Sequence, residues 1–214
     1  MPCRTACSAS SRIKVVTFDW QVENSVDLQG SLRLGEPAPT GGRWASVWTD
    51  QTTRGGTHRV LIAGRLLAKV AAATDPLQVH LRGVLRSSPA LTFVEAHGLA
   101  VHERVLPGKA GVLLQGLFTI EEGGPRTYVD EYGKRVEQIA LWGSIATDLP
   151  ELGGSHRVLL AGNSQINLVA DAARRWSQHQ QSGPLRAQVR GVLRSGRDRV
   201  FVEARYVEFF GVPE

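Results

Sequence analysis

Apolar residues along this chain come mostly in short alternating runs, and these predict strands rather than long helices. Leu28–Leu34, Arg43–Thr49, His58–Ala63, Leu77–Arg86 and Leu91–Val101 each carry apolar positions two apart, the period of a half-buried strand. The same series returns as Val112–Ile120, Gln138–Thr147, His156–Ala161, Leu185–Arg194 and Val200–Phe209. Between the third and fourth strands of each series the period changes. Ile166, Val169, Ala173 and Trp176 recur at helical spacing before Gly183-Pro184, and Leu66–Ala73 is a shorter version before Asp75-Pro76. Glycines at 30, 83, 116 and 191 interrupt strands, where they mark bulges or barrel bends.

The two series are copies. Gly-Thr-His-Arg-Val-Leu-Ile-Ala-Gly at 56–64 returns as Gly-Ser-His-Arg-Val-Leu-Leu-Ala-Gly at 154–162. Trp44-Ala45-Ser46-Val47-Trp48-Thr49-Asp50 returns as Trp142-Gly143-Ser144-Ile145-Ala146-Thr147-Asp148, also 98 residues later. Arg-Gly-Val-Leu-Arg-Ser at 82–87 and Phe-Val-Glu-Ala at 93–96 return unchanged, 108 residues later. Leu28-Gln29-Gly30 returns as Leu114-Gln115-Gly116 after 86. Five blocks in the same order indicate a tandem duplication. The growing offset places additions in connections, 12 residues between the first two strands of the second unit and 10 before its fourth. The expected organisation is a disordered basic tail at 1–17, a first unit at 26–104, a linker at 105–109 and a second unit at 110–211. Five strands with one helix between the third and fourth is the order of the oligonucleotide/oligosaccharide-binding (OB) fold, so the expected class is mainly all-β, as tandem OB-fold barrels.

Composition narrows the function. With 214 residues, 42% hydrophobic and 21% charged, the chain is an ordinary globular one, and its net charge of +5 mildly favours polyanion partners. No apolar run approaches a membrane span. Cys3 and Cys7 are the only cysteines, which excludes a disulfide framework and makes the cytoplasm the default compartment. The tail has serines, Arg4, Arg12, Lys14 and no acid up to Lys14. That is also a transit-peptide composition, but a disordered arm or a misassigned start is the preferred reading. No catalytic triad, paired-carboxylate motif, phosphate loop, metal signature or cofactor motif is present, so an enzyme is not expected. His58 and His156 have no further ligand at metal spacing and read as structural.

The residues 58–64 and 156–162 motif, the helix that follows, the Gly-Val-Leu-Arg-Ser strand and the Phe-Val-Glu-Ala strand resemble the bacterial single-stranded DNA-binding proteins. Val26-Asp27-Leu28-Gln29-Gly30-Ser31-Leu32 resembles their first strand. Two units per chain resembles the Deinococcus–Thermus branch of that family, which implies a homodimer with four barrels acting on single-stranded DNA near the nucleoid. Three features depart from the family: the acidic C-terminal tip that recruits partners is missing, and the two usual stacking positions are Thr57/Ser155 and Ala63/Ala161.

Binding single strands without sequence selection needs cations for phosphates and aromatic faces for bases. Alternation sets Leu81 and Leu85 against His80, Arg82 and Arg86, and Val189 and Leu193 against Gln188, Arg190 and Arg194. On the fifth strands it sets Val94 and Ala96 against Phe93, Glu95 and His97, and Val202, Ala204 and Tyr206 against Phe201, Glu203 and Arg205. With the small apolar sets inward, Phe93 and Phe201 share a face with the arginines; a register one residue off makes them core instead. Trp44 and Trp142 suit either a platform or the core, and core is preferred. Trp48, replaced by Ala146 in the second unit, is a candidate surface contact, as are Tyr128, Tyr132, Lys134 and Arg135 in the second unit's insertion. The candidate site is therefore Arg82, Arg86, Phe93, Arg190, Arg194, Phe201, Arg205, Trp48 and those four. The competing readings are a protein–protein scaffold on the same fold, favoured by the missing stacking positions, and a single-stranded RNA binder.

Overall fold

The alternating segments fold as strands that turn most of their aliphatic members to one side. In the computed structural model, which describes residues 23–49, 56–71, 76–88, 90–129, 135–147, 154–179, 183–195 and 199–212 (side chains excepted at 122 and 124–139), the first unit runs β1 (Glu23–Pro37), β2 (Arg43–Trp48), β3 (Thr57–Ile62), α1 (Gly64–Val70), β4 (Leu77–Ser87) and β5 (Thr92–His102). The second runs β6 (Lys109–Val129), β7 (Arg135–Ala146), β8 (Ser155–Ala161), α2 (Asn163–Gln178), β9 (Leu185–Ser195) and β10 (Val200–Phe210). Of the residues singled out in the sequence, the tail with its cysteines, Asp50, Asp75, Asp148, Tyr132 and Lys134 lie outside the described residues, as do the side chains of Tyr128 and Arg135.

Each unit closes on itself. β1 pairs with β2 and β4, β2 with β3, β3 in parallel with β5, and β5 with β4; the second unit repeats this ring with β6, β7, β8, β10 and β9. Among the described residues the only parallel contact in each ring is between its third and fifth strands, which is the closure of an OB barrel. Inside sit Leu28, Leu32, Val47, Val60, Ile62, Val79, Leu81 and Val94, and in the second barrel Leu114, Phe118, Ile145, Val158, Leu160, Val189, Leu193 and Val202, all at most 1% exposed.

The copies trade volume between positions. Where the first barrel stacks Leu32 near Ala45, the second puts the larger Phe118 beside Gly143, and an added Cβ at Gly143 would overlap the Phe118 ring. Gly143→Ala is therefore expected to cost about 1–3 kcal/mol through overpacking, read as a lower urea midpoint, with Phe118→Leu restoring part of it.

The helix α2 buries Val169 and Ala172, with Ile166, Ala173 and Trp176 half-buried on the same side. One reading of the sequence needs correction. Tyr206 was expected inward with Val202 and Ala204. A bulge inserts Arg205 between Ala204 and Tyr206, so Gly191 opposes Ala204 while Arg190 opposes Tyr206, and Tyr206 emerges 49% exposed with Val207 taking the inward place. The first barrel has the same bulge, with Gly83 opposite Ala96 and Arg82 opposite Gly98. At Gly83 and Gly191 an added Cβ would overlap the carbonyl oxygens of Glu95 and Glu203.

The barrels are joined by backbone. Glu23–Gln29 of β1 pairs antiparallel with Lys109–Gln115 of β6, so β5-β4-β1-β6-β9-β10 is one six-stranded sheet shared by both barrels. One hydrophobic cluster spans the join, with Val26, Ala110 and Val112 among its members. Two buried histidines cross it. His58 Nδ1 lies 2.9 Å from Ser195 Oγ and His156 Nδ1 lies 2.8 Å from Ser87 Oγ, each histidine on one barrel and its serine on the other. Both are 1% exposed, as expected for structural histidines.

Candidate nucleic-acid interface

On the outer surface, the same arrangement is built twice. β2 turns Ala45 and Val47 inward, so Trp44, Ser46 and Trp48 face out; β3 turns Val60 and Ile62 inward, so Arg59 and Leu61 face out. Ser46 opposes Arg59, and Arg59 and Phe93 both precede the parallel pair Val60–Val94, while Phe93 opposes Arg86. Strand pairing thus lays Ser46, Arg59, Phe93 and Arg86 in a row across four strands. In the second barrel the row is Ser144, Arg157, Phe201 and Arg194.

Trp44 stands beside its row. Its ring meets Phe93 edge-on at 5.1 Å and 88°, and the Arg59 guanidinium carbon lies 4.3 Å from its centroid. Trp142 meets Phe201 at 5.2 Å and 79°, with Arg157 at 5.1 Å. The preferred core assignment of Trp44 and Trp142 is thus wrong. Both are half-buried on the outward face, because the pleat that buries Ala45 and Val47 in one copy, and Gly143 and Ile145 in the other, must turn them out. Edge-to-face pairing and a guanidinium over one ring hold each pair of aromatic planes in a fixed relation.

Each row ends in an ion pair. Arg86 Nε is 2.6 Å from Glu95 Oε2, and Arg194 Nε is 2.8 Å from Glu203 Oε2. Glu203 also receives Arg205 at 3.2 Å, where the first barrel has His97 at 4.0 Å from Glu95. Arg157 reaches Glu121 at 3.3 Å.

The other sequence candidates lie elsewhere. Arg82 and Arg190 project from the six-stranded sheet, Arg82 toward Asp27 at 3.9 Å and Arg190 onto Gln188 at 3.1 Å, with Tyr206 6.0 Å away. Asp27 is also shared by His80 and Lys109. The shared face of Arg82 and Arg86 holds only in alternation; barrel curvature and the bulge aim them at different neighbours. Trp48 is 37% exposed and sits opposite Thr57 and Ser31, beyond Ser46 on β2. Arg59 and Arg157 were not singled out. The signal was there, as both follow the repeated histidines, but their neighbours Phe93 and Phe201 become visible only through the parallel β3–β5 and β8–β10 pairings.

Among the described residues no three His, Cys, Asp or Glu side chains form a metal-binding group, and no helix is long and apolar enough to cross a membrane. No protein-family model and no curated protein matches the chain. Solved structures do. The wild-type single-stranded DNA-binding protein of Thermus aquaticus matches at a TM-score of 0.56 and 18% identity, over 91% of this chain and 96% of that one. A deletion and substitution variant of that protein matches at the same score and identity, over 88% and 94%. At this identity the likeness establishes architecture: the chain has the two-barrel OB fold of the Thermus aquaticus protein along nearly its whole length.

Proposed function

We propose that this chain binds single-stranded DNA without catalysis, protecting or organising exposed strands during replication, repair or recombination in the cytoplasm. The observation that carries this reading is the row of two arginines around a phenylalanine, with a cation-capped tryptophan beside it, repeated on both barrels. Arg59, Arg86, Arg157 and Arg194 are the phosphate contacts, and Phe93, Phe201, Trp44 and Trp142 the stacking planes. A similarly folded protein is named for single-stranded DNA binding. The units at 26–104 and 110–211 each present one row, and a homodimer of the chain presents four.

Titration of intrinsic tryptophan fluorescence with oligo(dT) tests this, because Trp44 and Trp142 lie on the proposed face. Strong quenching is expected from oligo(dT), none from duplex DNA, and a log–log salt slope of about −3 if four arginines each release counterions at about −0.7. An equal or better response to oligo(U) would reassign the ligand to RNA. No response at low salt would remove the reading.

The glutamates at the row ends compete with phosphate for Arg86 and Arg194. Glu95→Gln combined with Glu203→Gln is expected to tighten oligo(dT) binding about fivefold or more at low salt and to steepen the salt slope, since two negative charges leave the face. Unchanged or weaker binding would place these arginines outside the contact.

A further inference from the structure

Each binding row ends at the opposite barrel. Arg86 is followed by Ser87, and Ser87 Oγ meets His156 Nδ1 at 2.8 Å; Arg194 is followed by Ser195, and Ser195 Oγ meets His58 Nδ1 at 2.9 Å. The histidines in turn precede Arg157 and Arg59, the other arginines of the two rows. Each crossing is therefore a set of four, Arg59-His58 against Ser195-Arg194 and Arg157-His156 against Ser87-Arg86. An arginine of either barrel flanks each hydrogen bond.

The crossings are built to be stiff. Asn24 on β1 accepts a hydrogen bond from the Leu85 amide at 2.9 Å and donates one to the Leu85 carbonyl at 2.8 Å, which fixes its amide orientation. Its nitrogen also lies 3.2 Å from His156 Nε2. That nitrogen is a donor, so Nε2 accepts and the His156 proton sits on Nδ1, from which it is donated to Ser87 Oγ. Thr49 Oγ1 lies 3.0 Å from His58 Nε2. The backbones are also apposed: Gly154, at φ +81°, leaves room for the Ser87 carbonyl oxygen, which would lie 3.1 Å from a Cβ there.

We propose that His58 and His156 are positioning residues for nucleic-acid binding: each holds the strand end that carries the other barrel's row-ending arginine, so neither row is complete without its neighbour and the two act as one site. This rests on the reading of the rows as the DNA interface. It assigns the recurrence of His-Arg and Arg-Ser in both copies to one device, in which a histidine of one copy serves an arginine of the other.

The test uses the full chain and oligo(dT), with affinity measured by fluorescence titration and stability by urea unfolding. Ser87→Ala with Ser195→Ala is expected to weaken binding about tenfold. Ser87→Thr with Ser195→Thr, which keeps both hydroxyls, is expected to restore most of it. Ser87→Ala is further expected to cost affinity in the wild-type background but nothing beyond Arg86→Ala in the Arg86→Ala background, a coupling that a purely structural serine would not show. Wild-type affinity in the double alanine variant, or full additivity with Arg86→Ala, overturns the proposal and leaves the DNA interface standing. If the unsubstituted chain fails to bind oligo(dT), interface and positioning fall together. Should Ser87→Ala fold too poorly to titrate, Ser87→Cys, with a weaker hydrogen bond in nearly the same volume, is expected to give an intermediate loss with the same dependence on Arg86.

Discussion

Acidification from pH 7 to pH 4 is expected to remove about 6 kcal/mol of folding free energy, most of the stability of a typical domain. Burial, reinforced by the positive charge of Arg194, holds His58 down at about 4, and burial with Arg86 does the same to His156, against an ordinary value of 6.5. In the unfolded chain both rings protonate near pH 6.5, while in the folded chain they stay neutral until about pH 4. The unfolded state thus binds the extra protons throughout that window. Stability is complete above pH 6.5, falls as the pH drops through the window, and loses nothing more from these groups below about 4. At about 1.4 kcal/mol per pKa unit each histidine contributes about 3 kcal/mol. Urea unfolding at half-unit steps from pH 7.5 to 4 measures this directly. His58→Gln with His156→Gln is expected to lower stability at pH 7 and to flatten the profile in the window. A wild-type profile already flat there would show that the rings are not held neutral.

The second large effect concerns the planes. Phe93→Ala with Phe201→Ala is expected to weaken oligo(dT) binding by about 2–6 kcal/mol, at about 1–3 kcal/mol for each stacked base. Each phenylalanine is half-buried on the outer surface, so the accompanying loss of stability is expected to be smaller than for a core residue such as Val94 or Val202. The comparison that decides is with Arg82→Ala combined with Arg190→Ala. Those arginines point to Asp27 and Gln188, outside the rows, and their removal is expected to leave oligo(dT) affinity within about threefold. The reverse ranking would move the interface from the aromatic rows to the surface around Arg82 and Arg190.

Much of this was legible in the chain itself. The repeat exposed each strand twice, and alternation oriented most residues; for Phe93 and Phe201 it left both faces open, since a period of two always has one alternative register, and strand pairing turns them outward and half-buried. What failed did so for identifiable reasons. Tyr206 was misoriented because a bulge adds one residue, and nothing in Ala204-Arg205-Tyr206 marks it except the Gly191 opposite, whose partner is unknown until the strands are paired. Trp44 and Trp142 were assigned by residue type instead of by the pleat of Ala45, Val47 and Ile145 around them. Arg82 and Arg190 were grouped with Arg86 and Arg194 because a flat strand gives them one face, whereas a barrel curves that face around a corner. The histidine–serine crossings join residues 137 and 69 apart, and no periodicity reports on them.

The pairing of β1 with β6 has a consequence for synthesis. The first barrel's strands are all translated by His102, but the outer edge of β1 from Glu23 to Gln29 has no partner until Lys109–Gln115 follows, and β6 is itself settled only when β9 closes over it at Leu185–Val192. At a ribosome's pace of about 5–20 residues per second, that edge stands open for several seconds on every nascent chain. An open strand edge is a template for a neighbouring chain on the same message. Glu23 and Asp27 lie along the waiting edge, and two such edges meeting in antiparallel would bring like charges together. The arrival of β6 is thus the step that ends the exposure of the first barrel's edge.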